Sequence, residues 1–65
     1  MRILDLLYVV SDKNCDFIIS VNNIYRGFYS LGEIALDDET NNLIIRNLKS
    51  KTHNLHTTYI INCEV

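Results

Sequence analysis

The stretch at residues 15–29, CDFIISVNNIYRGFY, constrains this chain more than any other. Two runs rich in β-branched and aromatic residues flank a bare Asn22-Asn23 pair. Before the pair, Cys15, Phe17, Ile19 and Val21 fall on one face of an extended chain, with Asp16 and Ser20 on the other. A two-residue hairpin turn of the mirror-image type needs positive φ at both central positions, and Asn tolerates that better than any residue but Gly. The pattern therefore predicts an antiparallel hairpin with Val21 opposite Ile24, Ser20 opposite Tyr25 and Ile19 opposite Arg26. Continued without interruption, that register sets Ile18 against Gly27, Phe17 against Phe28 and Asp16 against Tyr29. Phe17, Ile19, Val21, Ile24 and Phe28 would then form an inner face, and Tyr25, Gly27 and Tyr29 an outer one.

The segments around this hairpin complete an outline. Ile3, Leu6, Leu7 and Val10 recur at i, i+3, i+4 and i+7, one face of a helix, and Asp5 in the first turn suits the helix dipole. Ser11-Asp12-Lys13-Asn14 would stop that helix. Tyr8, Val9 and Val10 also favour strand, so residues 1–10 are open to either state. Ser30-Leu31-Gly32-Glu33 reads as a strand end and turn, and IALDDETNN as a single helical turn or an irregular crossover. LIIRNLKSK and TTYIINCEV read as two further strands joined by the loop THNLH. The expected fold is a single α+β domain over residues 1–65, with an N-terminal helix packed on a small, mostly antiparallel four-stranded sheet of two hairpins.

Size limits what such a domain can do alone. A chain of 65 residues buries only about 60% of its unfolded surface, and a core of this size rarely supplies more than ~3–5 kcal/mol. Such chains often gain stability from a partner, a metal, a disulfide or a second copy. With 48% hydrophobic and 22% charged residues the composition is globular rather than disordered. The net charge is −2, and Lys and Arg do not gather in one segment, which argues against nonspecific nucleic-acid binding through phosphates. The opening MRILDLLYVVSD is broken by Asp5, lacks a small-residue cleavage site and falls far short of the ~20 apolar residues that cross a bilayer. A soluble, cytoplasmic chain is expected. The absence of Pro, a single alanine at Ala35 and abundant Ile and Asn fit an AT-rich genome.

Cys15, His53, His56 and Cys63 are the soft-ligand candidates. There is no Cys-x2-Cys pair, and both cysteines sit at inward strand positions, where a reduced thiol behaves as a small hydrophobe. No functional metal and no cofactor are expected, and the thiols are expected to be free rather than bridged. No basic residue adjoins either cysteine to activate it as a nucleophile, and Gly27 and Gly32 are isolated rather than part of a phosphate loop. An enzyme is not expected. Lys49, Lys51, His53 and His56 make the segment 49–56 mildly basic, either as a solvated connection or as a contact for phosphate or an acidic partner. Asp37, Asp38 and Glu39 form the one dense acidic cluster, either a solvated helix start or an acidic contact patch. Tyr25, Tyr29 and Tyr59 are the candidate protein-binding residues, because Tyr offers a large contact area with a polar tip. Gly27 between the first two would let another backbone or ring approach closely. The alternative is that these rings only cap the sheet.

The opening ILDLLYVVSD, the NNIYRG hairpin and the closing strand pair resemble short proteins of phages and other mobile elements of AT-rich bacteria. The residues that carry the resemblance are Asp5, Leu6, Leu7, Tyr25 and Gly27. Some small phage proteins of this size inhibit bacterial defence systems, anti-CRISPR proteins among them. The resemblance thus implies a protein that occupies or inhibits a host protein, with no residue-level assignment. Two other expectations stand beside it. One is a nucleic-acid-binding accessory protein using the basic segment 49–56 and stacking tyrosines. The other is a self-assembling structural subunit, and a homodimer is expected as the oligomeric state.

Overall fold

The computed structural model describes residues 1–10 and 13–65. The chain runs through α1 (Ile3–Val9), β1 (Cys15–Val21), β2 (Ile24–Ser30), α2 (Leu31–Ala35), α3 (Asp38–Asn41), β3 (Ile44–His53) and β4 (His56–Glu64). It is a small α+β fold, as the sequence pattern implies. The expected stop of the first helix lies partly outside the described residues, at Ser11 and Asp12.

Residues 3–9 take the helical option. Ile3 and Leu6 are buried, and Leu7 and Val10 pack against the core. Asp5 accepts a hydrogen bond from the Arg2 backbone N–H at 2.9 Å, satisfying a donor that the first turn would otherwise leave unpaired. Just before the helix, Ile45 N–H donates to Met1 C=O and Ile3 N–H donates to Leu43 C=O. The chain start thus lies along the outer edge of β3 and covers its first residues.

Both hairpins close on two-residue turns with left-handed backbone. The φ values are 52° and 68° at Asn22 and Asn23, and 50° and 64° at Asn54 and Leu55. The first turn is the one the Asn pair predicts. The second is tighter than the five-residue loop expected at THNLH, because β3 continues to His53 and β4 begins at His56.

The strand order is β2-β1-β4-β3. β1 pairs antiparallel with β2, and β3 with β4, but the central pair β1 and β4 is parallel. This corrects the mostly antiparallel arrangement expected from two hairpins: the sheet is mixed, and its centre is the parallel pair. Local sequence dictates a hairpin but not how two hairpins join. The parallel join requires a long crossover, here supplied by β2, α2, α3 and β3. The central strands carry the more apolar runs, while Arg26, Arg46, Lys49 and Lys51 lie on the edge strands, where charge discourages edge pairing.

The crossover is two short helices rather than one turn. Ser30 caps α2: its Oγ accepts from Glu33 N–H at 3.2 Å, and Glu33 Oε1 accepts from Ser30 N–H at 3.0 Å. This reciprocal capping box is written in the sequence as Ser-x-x-Glu, so the stretch expected as a turn is a helix start. Asp37 caps α3 by accepting from Thr40 N–H and from Thr40 Oγ1–H. Both carboxyls are held below their ordinary pKa, chiefly by the backbone hydrogen bonds from Ser30 and Thr40. Ile34 and Thr40 are fully buried beneath these turns.

The core is Ile3, Leu6, Cys15, Phe17, Ile19, Ile34, Ile61 and Cys63. Alternate residues of β1 and β4 point into it, and the helices gather over that one face. Phe17 stacks on Tyr59 with ring centroids 5.3 Å apart and planes 17° from parallel.

Candidate functional site

Each hairpin contains one irregularity, and the first decides what the sheet displays. Val21 faces Ile24 and Ser20 faces Tyr25, as the simple register requires. Beyond them Ile19 faces Gly27, Ile18 faces Phe28 and Phe17 faces Tyr29. Arg26 is the extra residue of a β-bulge, and every side chain after it changes face. The expected outer surface of Tyr25, Gly27 and Tyr29 is therefore corrected. Tyr25 stays on the outer face, whereas Tyr29 moves to the covered face and packs against the core. Phe28, expected inside, points outward and is 55% exposed; Ile24, also expected inside, is 72% exposed at the turn.

The bulge also explains Arg26. An uninterrupted register would set its guanidinium beside Ile19 in the core, at a large desolvation cost. Displaced by one position, Arg26 reaches α3, where Nε donates to Thr40 Oγ1 at 3.3 Å and Nη2 lies 3.7 Å from Glu39 Oε2. Gly27 has a structural role as well. A Cβ there would stand 3.1 Å from the Tyr29 ring, so its missing side chain makes room for that tyrosine. The second bulge is at Arg46, between Ile45 opposite Cys63 and Asn47 opposite Asn62.

The face away from the helices is the candidate site. One row crosses all four strands: Phe28 on β2, Ile18 on β1, Ile60 on β4 and Lys49 on β3, each opposite the next in register. The neighbouring row towards the Asn22-Asn23 turn holds Tyr25, Ser20, Asn62 and Asn47. On the other side Asp16, Thr58 and Lys51 follow one another. Tyr25 is 64% exposed, and Ile18 and Ile60 are half-buried between their neighbours. Asn23, Asn47, Lys49, Ile60 and Asn62 line a shallow groove of about 330 Å³ on this face. Asn62 fixes one wall: its Oδ1 accepts from Asn23 N–H, and its amide donates to Asn23 Oδ1, both at 3.0 Å. Amides, an ammonium and an aliphatic side chain can hold a peptide or a polar ligand by contact and hydrogen bonds. Near the far end His56 Nε2 meets Asp16 Oδ2 at 2.5 Å, with both side chains partly exposed.

The other candidate residues are dispersed. Tyr59 lies on the covered face against Phe17. Asp37 is occupied as a helix cap, Asp38 is exposed on α3 and Glu39 pairs with Arg26, so the acidic cluster is divided among different tasks. Cys15 and Cys63 are buried on the helix side, and burial pushes the Cys63 thiol pKa up. Cys15 aligns with Thr57 and Cys63 with Val21, six positions apart along the parallel pair, or ~20 Å at strand rise. His56 lies across the sheet from both thiols, and His53 faces the Asn54 amide at 3.2 Å. Phe28 and Ile60 are the residues sequence reasoning missed as display positions. The clue is Arg26, a charge that the uninterrupted register buries and a bulge releases.

The fold and site together define a class: a small α+β domain whose mixed sheet is covered on one face by short helices and open on the other. Compared with protein-family models, curated proteins and solved structures, the chain matches none. Among the described residues no helix is long and apolar enough to cross a membrane.

Proposed function

We propose that this chain is a non-enzymatic protein-binding module that acts by occupying a partner, and that it binds through the open sheet face around Tyr25 and Phe28. The observation that carries the proposal is two large aromatic side chains standing exposed on the edge strand β2, which pairs with β1, with half-buried Ile18 and Ile60 on the next strands of the same face. Aromatic anchors on the edge strand β2, aliphatic side chains on the central strands and Asn and Lys towards the β3 edge combine the apolar and polar groups of an interface. The resemblance to short phage and mobile-element proteins makes a host protein the partner of choice, with occupancy or inhibition of a defence component as the output. The test is capture from bacterial lysate by wild type and by a Tyr25→Ser, Phe28→Ser variant whose fold is verified by circular dichroism. A protein held by the wild type and lost by the variant supports the proposal. Equal capture by both removes the open face as the site, and capture by neither removes the protein-binding reading.

One observation favours a second reading. Lys49 and Lys51 share the open face with Tyr25 and Phe28, an arrangement suited to a single strand of nucleic acid stacked across the sheet. A gel shift that weakens steeply with salt would establish it, against the acidic balance of the chain.

A further inference from the structure

We infer that, when no target is bound, the open face is covered by a second copy of this chain, related by a two-fold axis running along the strands. The inference rests on the reading of that face as an interaction surface, and it names one occupant for it. Its basis is a self-complementarity fixed by the register. Rotation about an axis along the strands, lying midway between β1 and β4, exchanges β2 with β3 and β1 with β4 while keeping each row at its own height. In the central row Phe28 then meets Lys49 of the second copy, and Ile18 meets its Ile60. The isoleucines face each other, and the Phe28 ring faces the Lys49 ammonium, a favourable pairing of cation and aromatic face. In the next row Asp16 opposes Thr58 of the second copy and adjoins its Lys51, so the charges that meet are opposite. Tyr25 opposes the Asn47 amide. A two-fold axis across the strands gives a different pairing: it stacks β3 on β3 and brings the Lys49 and Lys51 ammonium groups of the two copies together. Electrostatics therefore selects the first axis.

The area is adequate for a reversible dimer. Four strands at ~4.8 Å spacing and three rows at ~6.8 Å make a patch of roughly 19 by 20 Å. With side-chain relief it removes on the order of 600 Å² per copy, about 1,200 Å² in total, at the lower end of specific interfaces. The consequence is competition: the target and the second copy use the same face, so self-association holds the binding surface in reserve and target binding separates the copies.

Sedimentation equilibrium from micromolar to millimolar concentration tests this. The wild type should pass from the 7.6 kDa chain to twice that mass, and Ile60→Glu should stay monomeric with an unchanged circular dichroism spectrum. Should Ile60→Glu fail to fold, Lys49→Glu, at an exposed edge position, takes its place with the same expectation. The axis is read by cross-linking cysteine pairs with a short bismaleimide, because facing sheets lie ~10 Å apart, beyond the reach of a disulfide. A mixture of Phe28→Cys chains and Lys49→Cys chains should give a covalent heterodimer, and each variant alone should not. Cys15 and Cys63 are buried and do not compete. A wild type that stays monomeric at millimolar concentration, an Ile60→Glu variant that still dimerises, or self-linking of Phe28→Cys alone would each overturn the inference. So would a monomer that takes up a single-stranded oligonucleotide on this face. The proposed function fails separately: a monomer that captures a protein through Tyr25 and Phe28 loses only the dimer, and a dimer that captures nothing loses only the target.

Discussion

The two faces of the sheet come from the same strands, one residue out of phase, and they differ in what stabilises them. On the covered face Phe17, Ile19 and Ile61 are at most 1% exposed and pack beneath three short helices. On the open face their immediate neighbours Ile18 and Ile60 are only half-buried, and Phe28 and Tyr25 are exposed. Hydrophobicity alone does not separate the two sets, since Phe and Ile occur in both. Position relative to the bulge and to the crossover separates them. The covered face carries most of the free energy of folding, and the open face leaves apolar side chains in contact with solvent.

The sharpest way to break this comparison is in the covered face. Phe17→Ala should cost ~3–5 kcal/mol, comparable with the whole stability of a domain this small. Circular dichroism should show a largely unfolded chain at room temperature. A Phe17→Ala variant that melts like wild type would remove the covered face as the seat of stability.

Adjacent isoleucines sharpen it further. Ile61→Ala should lower stability by ~2–5 kcal/mol, because Ile61 is buried in the core. Ile60→Ala, one residue away on the open face, should cost about 1 kcal/mol or less in the monomer. Urea midpoints at low protein concentration measure the difference, and equal midpoints would show that the faces are not distinct in energy.

A smaller effect is expected at the bulge. Gly27→Ala places a methyl group 3.1 Å from the Tyr29 ring, which must shift within a packed layer. The contact is with the tip of a partly buried ring that has to give by a few tenths of an ångström, so the cost should be about 1 kcal/mol or less, with the Tyr29 ring resonances moving and those of Tyr25, on the other face, staying in place.

Much of this division is legible in the sequence, and the parts that are not have a common cause. The Asn22-Asn23 turn, the α1 stripe of Ile3, Leu6, Leu7 and Val10, and the inward residues of β1 depend on neighbours a few positions away, so local pattern is enough to place them. The capping box at Ser30 and Glu33 is equally local and could be read from the four residues alone. The parallel pairing of β1 and β4 depends on residues about forty positions apart, and no local pattern encodes it. The bulge lies between: it is local in position, but its reason is the demand of Arg26 for Thr40 and Glu39 on α3. An unbroken alternation therefore assigns Tyr29 and Phe28 to the wrong faces, and with them half of the candidate interface.

The smallest effect concerns the cover itself. Glu33 and Asp37 cap the two helices of the crossover, and the hydrogen bonds they accept hold both carboxyls below their ordinary pKa. A carboxyl whose folded pKa is depressed contributes stability that is full above its unfolded value and is lost as the pH falls through the folded one. Acidification below the ordinary carboxylate range should therefore loosen α2 and α3 first and expose Ile34 and Thr40, while the β1–β2 hairpin, which needs neither carboxyl, keeps its hydrogen bonds. Glu33 is exposed and Asp37 half-buried, so the effect is modest and appears as local opening rather than global unfolding. Amide hydrogen exchange at neutral and acidic pH, corrected for intrinsic rates, measures it: protection at residues 33–41 should fall while that of residues 17–19 is retained. The Glu33→Gln, Asp37→Asn variant should show weaker protection of the crossover at neutral pH and much less change on acidification. If wild type and variant respond alike to acid, the two carboxylates do not hold the crossover on the sheet, and the packing of Ile34 holds it there, beside Ile3 and Leu6 of α1.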